Sequence, residues 1–274
     1  LVSSPPDLDT LKRLTAIVRE AGAIALPYFK PGDQTQAKVT WKGDGSPVTE
    51  ADFAVNVFLE ARLRALWPDA AWLSEESADD SARIDAARVI VVDPIDGTRG
   101  FARGDRNWCI AVALVERGRP VIAVVHAPAN GETYTALVGG GAALNDAPLA
   151  IPVITALGAD ARVSLPGGTA QAMRDVGIAL DFRPKLASLA LRIVGVASGA
   201  YHCCLASRDS HDWDLAAADL VLQEAGGQLA ELDGQGLVYN KADTRHGVLI
   251  AAAPALRPAF IEALARAETA ARGT

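Results

Sequence analysis

Cysteine, aromatic residues, surplus positive charge and long apolar runs are all scarce in this 274-residue chain, and each scarcity excludes something. Three cysteines, two of them adjacent at Cys203 and Cys204, offer neither a disulfide framework nor a metal-ligand spacing, so a reducing, cytoplasmic setting is expected. Aromatic residues make up 5% of the chain, too few for a surface on which nucleic-acid bases stack. With 26 basic against 33 acidic residues the formal net charge is −7, which excludes a broad polyanion-binding face, and no nucleic-acid polymer is expected as a partner. No apolar run approaches membrane-spanning length, and Leu1 to Pro6 carries neither a basic nor an apolar targeting region, so no membrane partner is expected. Residue 1 is not methionine, which leaves the natural N-terminus open.

Hydrophobic residues, by contrast, reach 50%, enough for one large core or two smaller ones sharing an interface. Leu11, Leu14, Ile17, Val18, Ala21 and Ile24 recur at helical spacing until Pro27 closes the segment. Gln34 to Pro47 is polar, and Lys42-Gly43-Asp44-Gly45-Ser46-Pro47 reads as a mobile loop. A second helix starts at Thr49-Glu50-Ala51-Asp52 and ends before Pro68. Val89 to Val92 is β-branched without alternation, the pattern of a strand buried on both faces, and it leads into an acidic turn. Cys109–Val115, Val121–Val125 and Thr133–Val138 read as an antiparallel meander that Gly139-Gly140-Gly141 breaks. Beyond residue 150 come a strand near Ala161–Leu165, a helix through Leu189, Ile193 and Val196, and a helix from Trp213 to Ala225 stopped by Gly226-Gly227. The expected organisation is an α+β, layered α/β protein. Residues 1–150 form a lobe of helices on a largely antiparallel sheet; residues 151–274 form a second lobe on a mixed sheet, with the active site between.

Asp93 and Asp96 flank Pro94 and Ile95 at the end of the buried strand and precede Gly97-Thr98. Both carboxylates can face one point, where a hard cation such as magnesium wants oxygen donors, while Gly97 lets backbone amides approach a phosphate. An ordinary Asp-Pro, Asp-Gly turn explains the same residues. Three further acidic positions carry bland readings of their own: Glu75 in a solvated pair with Glu76, Asp52 in a capping box with Thr49, and Asp212 or Asp214 as a helix cap. His126, His202, His211 and His246 are scattered, and Cys203 and Cys204 sit in an apolar stretch, so no alternative nucleophile stands out.

Order and wording decide between these readings. Gly45-Ser46-Pro47-Val48-Thr49-Glu50-Ala51-Asp52, Leu73-Ser74-Glu75-Glu76, Val92-Asp93-Pro94-Ile95-Asp96-Gly97-Thr98, and Trp213-Asp214-Leu215-Ala216-Ala217 running to Glu224-Ala225-Gly226-Gly227 follow one another along the chain. In these segments the chain resembles the inositol monophosphatase superfamily over most of its length, and in wording its bacterial 3′(2′),5′-bisphosphate nucleotidase branch. The resemblance implies an αβαβα sandwich and a phosphatase of small soluble phosphate esters. It implies two or three Mg2+ ions on Glu75, Asp93, the Ile95 carbonyl, Asp96 and Asp214, a two-metal clamp on attacking and leaving oxygens. It implies that Asp52, Thr98 and Glu75 are catalytic, Thr98 orienting the attacking water with Asp52 behind it. Phosphate would be received by the amides of Gly97 and Thr98, Lys42 would lie in a loop closing over the site, and Ser188 would touch substrate. Lithium sensitivity and a homodimer are compatible with the same resemblance.

Spacing argues against the haloacid dehalogenase type of phosphatase, which also ends its motif in Asp-Gly-Thr: it has one residue between its aspartates, whereas Pro94 and Ile95 both intervene here. The non-enzyme alternative is a catalytically inactive metal- or phosphate-binding relative; such relatives usually lose a ligand, and here every matched position is filled. For substrate, 3′-phosphoadenosine 5′-phosphate is the expectation, with inositol 1-phosphate and histidinol phosphate as alternatives. Arg99, Arg103 and Arg106 are candidate contacts for a second phosphate or, equally, a solvated basic loop; Ala187 stands where many relatives have glycine.

Overall fold

The computed structural model of the protein describes residues 6–43, 45–154 and 156–272. Asp44 of the expected mobile loop, and all but Pro6 of the segment read for targeting signals, lie outside them. Helix α1 (Leu8–Ala25) is capped by Asp7 and buries Leu14, Ile17, Val18 and Ala21. Pro27 does not end the coil outright but sits in a 3₁₀ turn, Leu26–Tyr28, since a residue without N–H is tolerated in a first turn. Strands β1 (Val39–Trp41) and β2 (Pro47–Thr49) then pair antiparallel. The segment read as a mobile loop thus lies between two paired strands, and the Lys42 amide donates to the Ser46 carbonyl at 2.8 Å. Helix α2 (Glu50–Leu66) follows at once, with Val55, Leu59 and Leu63 buried.

Strands β3 (Ala71–Ser74) and β4 (Arg88–Asp96), helix α3 (Thr98–Ala102), and strands β5 (Cys109–Glu116), β6 (Arg119–Ala127), β7 (Glu132–Leu137), β8 (Gly141–Leu144) and β9 (Ala147–Leu149) come next. The seven strands β3 to β9 form one sheet in sequence order, β3 parallel to β4 and every other pair antiparallel. The glycine run at 139–141 thus turns the meander instead of ending it. Gly139 and Gly141 take φ of 70° and 85°, and their amides donate to the Glu224 carboxylate at 2.9 Å each.

The remaining elements are β10 (Arg162–Ser164), α4 (Gly167–Asp175), β11 (Asp181–Arg183), α5 (Leu189–Ala197), β12 (Cys203–Ala206), β13 (Ser210–His211), α6 (Asp212–Glu224), β14 (Gln228–Glu231), β15 (Arg245–His246), β16 (Leu249–Ala252) and α7 (Arg257–Arg272). Five of these strands make a mixed sheet in the order β11-β10-β12-β16-β14, and β13 pairs with β15.

Side-chain alternation explains the layering. Ile90, Val92, Ile110 and Val112 share a core with α1 and α2, while Val89, Val91, Ala111 and Ala113 face the other way onto α5 and α6. The same middle core takes Cys204, Ala206 and Ala251 from the second sheet, whose opposite face, with Cys203, Leu205 and Ile250, packs under α4 and α7. The result is helix, sheet, helix, sheet, helix, the sandwich expected. No helix among the described residues is long and apolar enough to cross a membrane.

Enclosure between two sheets has an electrostatic consequence for α6. Asp219 is buried with one oxygen accepting from the Tyr239 hydroxyl at 2.8 Å and the other without a partner, and burial pushes its carboxyl up to about 6. The folded protein therefore keeps a proton that the unfolded chain releases near the ordinary value of 3.8. Stability from this group is complete below that value and is lost as pH rises through about 6. Asp219→Asn should become more stable than wild type as pH rises, by on the order of 2 kcal/mol at pH 8. Metal-free urea melts at pH 4.5 and 8 measure this; a difference independent of pH contradicts it.

Candidate active site

Strand β4 does not stop before its acidic residues. Its ladder to β5 runs through Asp93, opposite Ala111, and resumes at Asp96, opposite Cys109. Two residues, Pro94 and Ile95, thus oppose one, Ile110, which is a β-bulge, and Pro94 sits where no ladder amide is needed. In a regular strand residues three apart face opposite sides; the extra residue lets Asp93 and Asp96 converge. The expected turn is therefore a bulged strand end. Gly97 follows with φ of 94°, and a Cβ there would stand 3.0 Å from the Ser188 nitrogen, so no other residue fits without displacement. Short helix α3 is anchored by Phe101, whose ring lies 4.9 Å from that of Trp108 and 5.6 Å from that of Phe29.

Asp96 sits on the N-terminal end of α5. It accepts from the Ser188 hydroxyl at 2.6 Å, the Ala190 amide at 2.6 Å and the Leu189 amide at 3.2 Å. Ser188, expected to touch substrate, is fully buried and does not line the cavity; its hydroxyl orients Asp96 and caps α5 through the Leu191 amide.

The two aspartates opening α6 separate cleanly. Asp212 is fully buried and saturated, with His246 Nε2 at 2.7 Å on one oxygen and the Asn240 amide at 2.7 Å on the other. Asp214 accepts from the His211 amide at 2.7 Å, closing a capping box, and still brings a carboxylate oxygen within 4.8 Å of those of Asp93 and Asp96. Glu75 lines the same cavity from the end of β3 but is paired with Lys42, whose Nζ lies 2.8 Å from Glu75 and 2.6 Å from Glu76. Burial alone would lower the Lys42 ammonium, yet the two carboxylates raise it above the usual lysine range. Burial likewise lifts Glu76 to about 7.

Capping and site readings coexist at Asp52. One oxygen accepts from the Thr49 amide and hydroxyl at 2.8 and 2.6 Å, completing the capping box. The other lies 3.2 Å from the Thr98 hydroxyl, which also lies 2.9 Å from the Ile95 carbonyl. Burial raises Asp52 to about 6 against the pull of these hydrogen bonds.

Burial, then mutual repulsion and the charge of Glu75, push Asp93 and Asp214 well above the carboxylate range; burial also raises Asp96, although Ser188 and the α5 amides oppose it. Converging carboxyls whose negative charges repel one another suit a hard divalent cation, which Asp93, Asp96 and Asp214 would hold as carboxylates with Glu75 and the Ile95 carbonyl alongside. They open onto a cavity of about 530 Å³. Its lining includes Arg99 and Arg103 but not Arg106, and it includes Lys185, which no motif marks in the sequence.

The inositol monophosphatase family model matches residues 7–269. A 3′(2′),5′-bisphosphate nucleotidase CysQ of Aggregatibacter actinomycetemcomitans is 33% identical over 243 residues, covering 85% of this chain and 88% of the relative. An inositol-1-monophosphatase of Rhizobium meliloti is 33% identical over 217 residues, 75% of this chain and 79% of its own length. Among solved structures, the extragenic suppressor protein suhB of Bartonella henselae superposes with a TM-score of 0.81 at 26% identity, covering 93% of this chain and 98% of that one. With the layered fold and the converging carboxylates, these matches establish that the chain belongs to the inositol monophosphatase family, whose members are phosphoric monoester hydrolases and generally depend on Mg2+.

Proposed function

We propose that the protein is a Mg2+-dependent phosphatase of small soluble phosphate esters, acting on a 3′(2′),5′-bisphosphate nucleotide such as 3′-phosphoadenosine 5′-phosphate. The observation that carries the reading is the juxtaposition, on one cavity wall, of the Asp93, Asp96 and Asp214 carboxylates with Thr98, whose hydroxyl is backed by the buried Asp52. A phosphate monoester carries about two negative charges at neutral pH and repels both hydroxide and these carboxylates. Magnesium held there supplies the positive charge that offsets this repulsion and acidifies water.

The chain's own groups set the rest. Asp52, held at fixed distance by its cap, accepts the Thr98 hydroxyl proton and leaves the Thr98 oxygen free to receive a hydrogen bond from the attacking water. The backbone of Gly97 and Thr98, on the cavity wall, receives phosphate oxygens. Asp96 is kept from turning away by three donors from α5 and the residue that caps it. The CysQ relative supports the nucleotide substrate, and the Rhizobium relative supports inositol phosphate as the competing one.

Phosphate release with magnesium should be compared on 3′-phosphoadenosine 5′-phosphate, inositol 1-phosphate, histidinol phosphate and fructose 1,6-bisphosphate. The nucleotide should have the highest kcat/KM. A dominant kcat/KM for any other ester overturns the nucleotide assignment.

A further inference from the structure

We propose that Lys185 and Arg103 form a second anion subsite in the active-site cavity, holding a substrate phosphate remote from the one being cleaved. The inference rests on the phosphatase reading above. Both residues line the cavity, and neither side chain has a hydrogen-bond or ion-pair partner among the described residues. Arg99, the third cation there, is engaged instead: its Nη2 donates to the Gly45 carbonyl at 3.0 Å.

Close packing on α3 brings Lys185 to this place. A Cβ on Gly100 would lie 2.9 Å from the Ala187 Cβ, and one on Gly97 would lie 3.0 Å from the Ser188 nitrogen. These two glycines let the segment led by Lys185 close on the helix whose end carries Arg103. The carboxylate nearest Arg103 in sequence, Asp105, also lines the cavity, but its Oδ1 is engaged within its own loop, accepting from the Asn107 amide at 2.9 Å and side chain at 2.7 Å. Burial and then the Arg192 charge hold Lys185 below the ordinary lysine range. A phosphate between these two exposed cations would receive charge-assisted hydrogen bonds from both. The scissile phosphate belongs at the carboxylate cluster, so unpaired cations in the same cavity serve a second anion, which a monophosphate lacks.

Steady-state kinetics on matched pairs test this: 3′-phosphoadenosine 5′-phosphate against adenosine 3′-phosphate, and fructose 1,6-bisphosphate against fructose 1-phosphate. Wild type should prefer the bisphosphate of a pair. Lys185→Met and Arg103→Met should each cut that preference about tenfold, through KM with kcat largely kept, the loss expected for one hydrogen bond to a charged group. Lys185→Arg should restore most of it. Equal losses on both members of a pair, an unchanged preference, or no bisphosphate preference in wild type would each overturn the subsite. If wild type cleaves the fructose pair and not the nucleotide pair, the nucleotide assignment fails while the subsite is judged on fructose esters.

Discussion

Asp93→Asn should lose magnesium-dependent phosphate release and, without metal, melt at a higher temperature than wild type. The two effects have one cause. Asp93 is buried beside Asp96, Asp214 and Glu75, and all three charges push its proton affinity up. Asparagine keeps the shape and an oxygen to accept from the Ile95 amide, now 3.0 Å from Asp93 Oδ1, but removes one negative charge. Metal-free protein gains by the relief of repulsion, on the order of 1 kcal/mol or more. Magnesium loses a ligand, so kcat/KM at fixed magnesium should fall by more than the roughly 10- to 100-fold that losing a ligand's outer hydrogen-bond partner costs. Calorimetry without metal and a magnesium titration of activity measure the two halves. Near-normal turnover sinks the ligand assignment; a lowered metal-free melting temperature sinks the account of repulsion.

Thr98→Val should reduce kcat by about 10²- to 10⁴-fold with little change in KM, as expected for removal of a group that positions a proton transfer. Valine matches threonine in shape and lacks the hydroxyl. That hydroxyl has a single proton to share between Asp52, 3.2 Å away, and the Ile95 carbonyl, 2.9 Å away. Both acceptors are buried, so the variant should also lose about 1 to 3 kcal/mol of stability. Thr98→Ser should recover most of the rate. A valine variant that is less stable yet turns over within a few-fold of wild type would make the hydroxyl a structural group only.

Much of the frame was legible because its signals are local. Helical spacing from Leu11 to Ile24, the Thr49 cap, the β-branched run before Asp93 and the Gly226-Gly227 stop each describe contacts within a few residues, and α1, α2, β4 and α6 formed where they pointed. The β1–β2 pair and strands β8 and β9 escaped notice because three- and four-residue strands are too short to display a period. The glycines at 139–141 punctuate as readily for a tight turn as for the end of a sheet.

The acidic strand end shows where the division lies. By itself the sequence determined the family and the chemistry, since the order of Asp52, Glu75, the Asp93–Thr98 segment and Asp214 needs no coordinates to be recognised. Only the tertiary structure decided which oxygens meet. A bulge turned Asp93 and Asp96 to one side, α5 supplied donors to Asp96 from residues more than 90 positions away, and Asp212 and Asp214, two residues apart, were sent to different partners. The same packing set the Ser188 hydroxyl against Asp96 and brought Lys185 to the cavity wall. Such placements depend on how two sheets enclose α5 and α6, a long-range condition that no window of sequence contains.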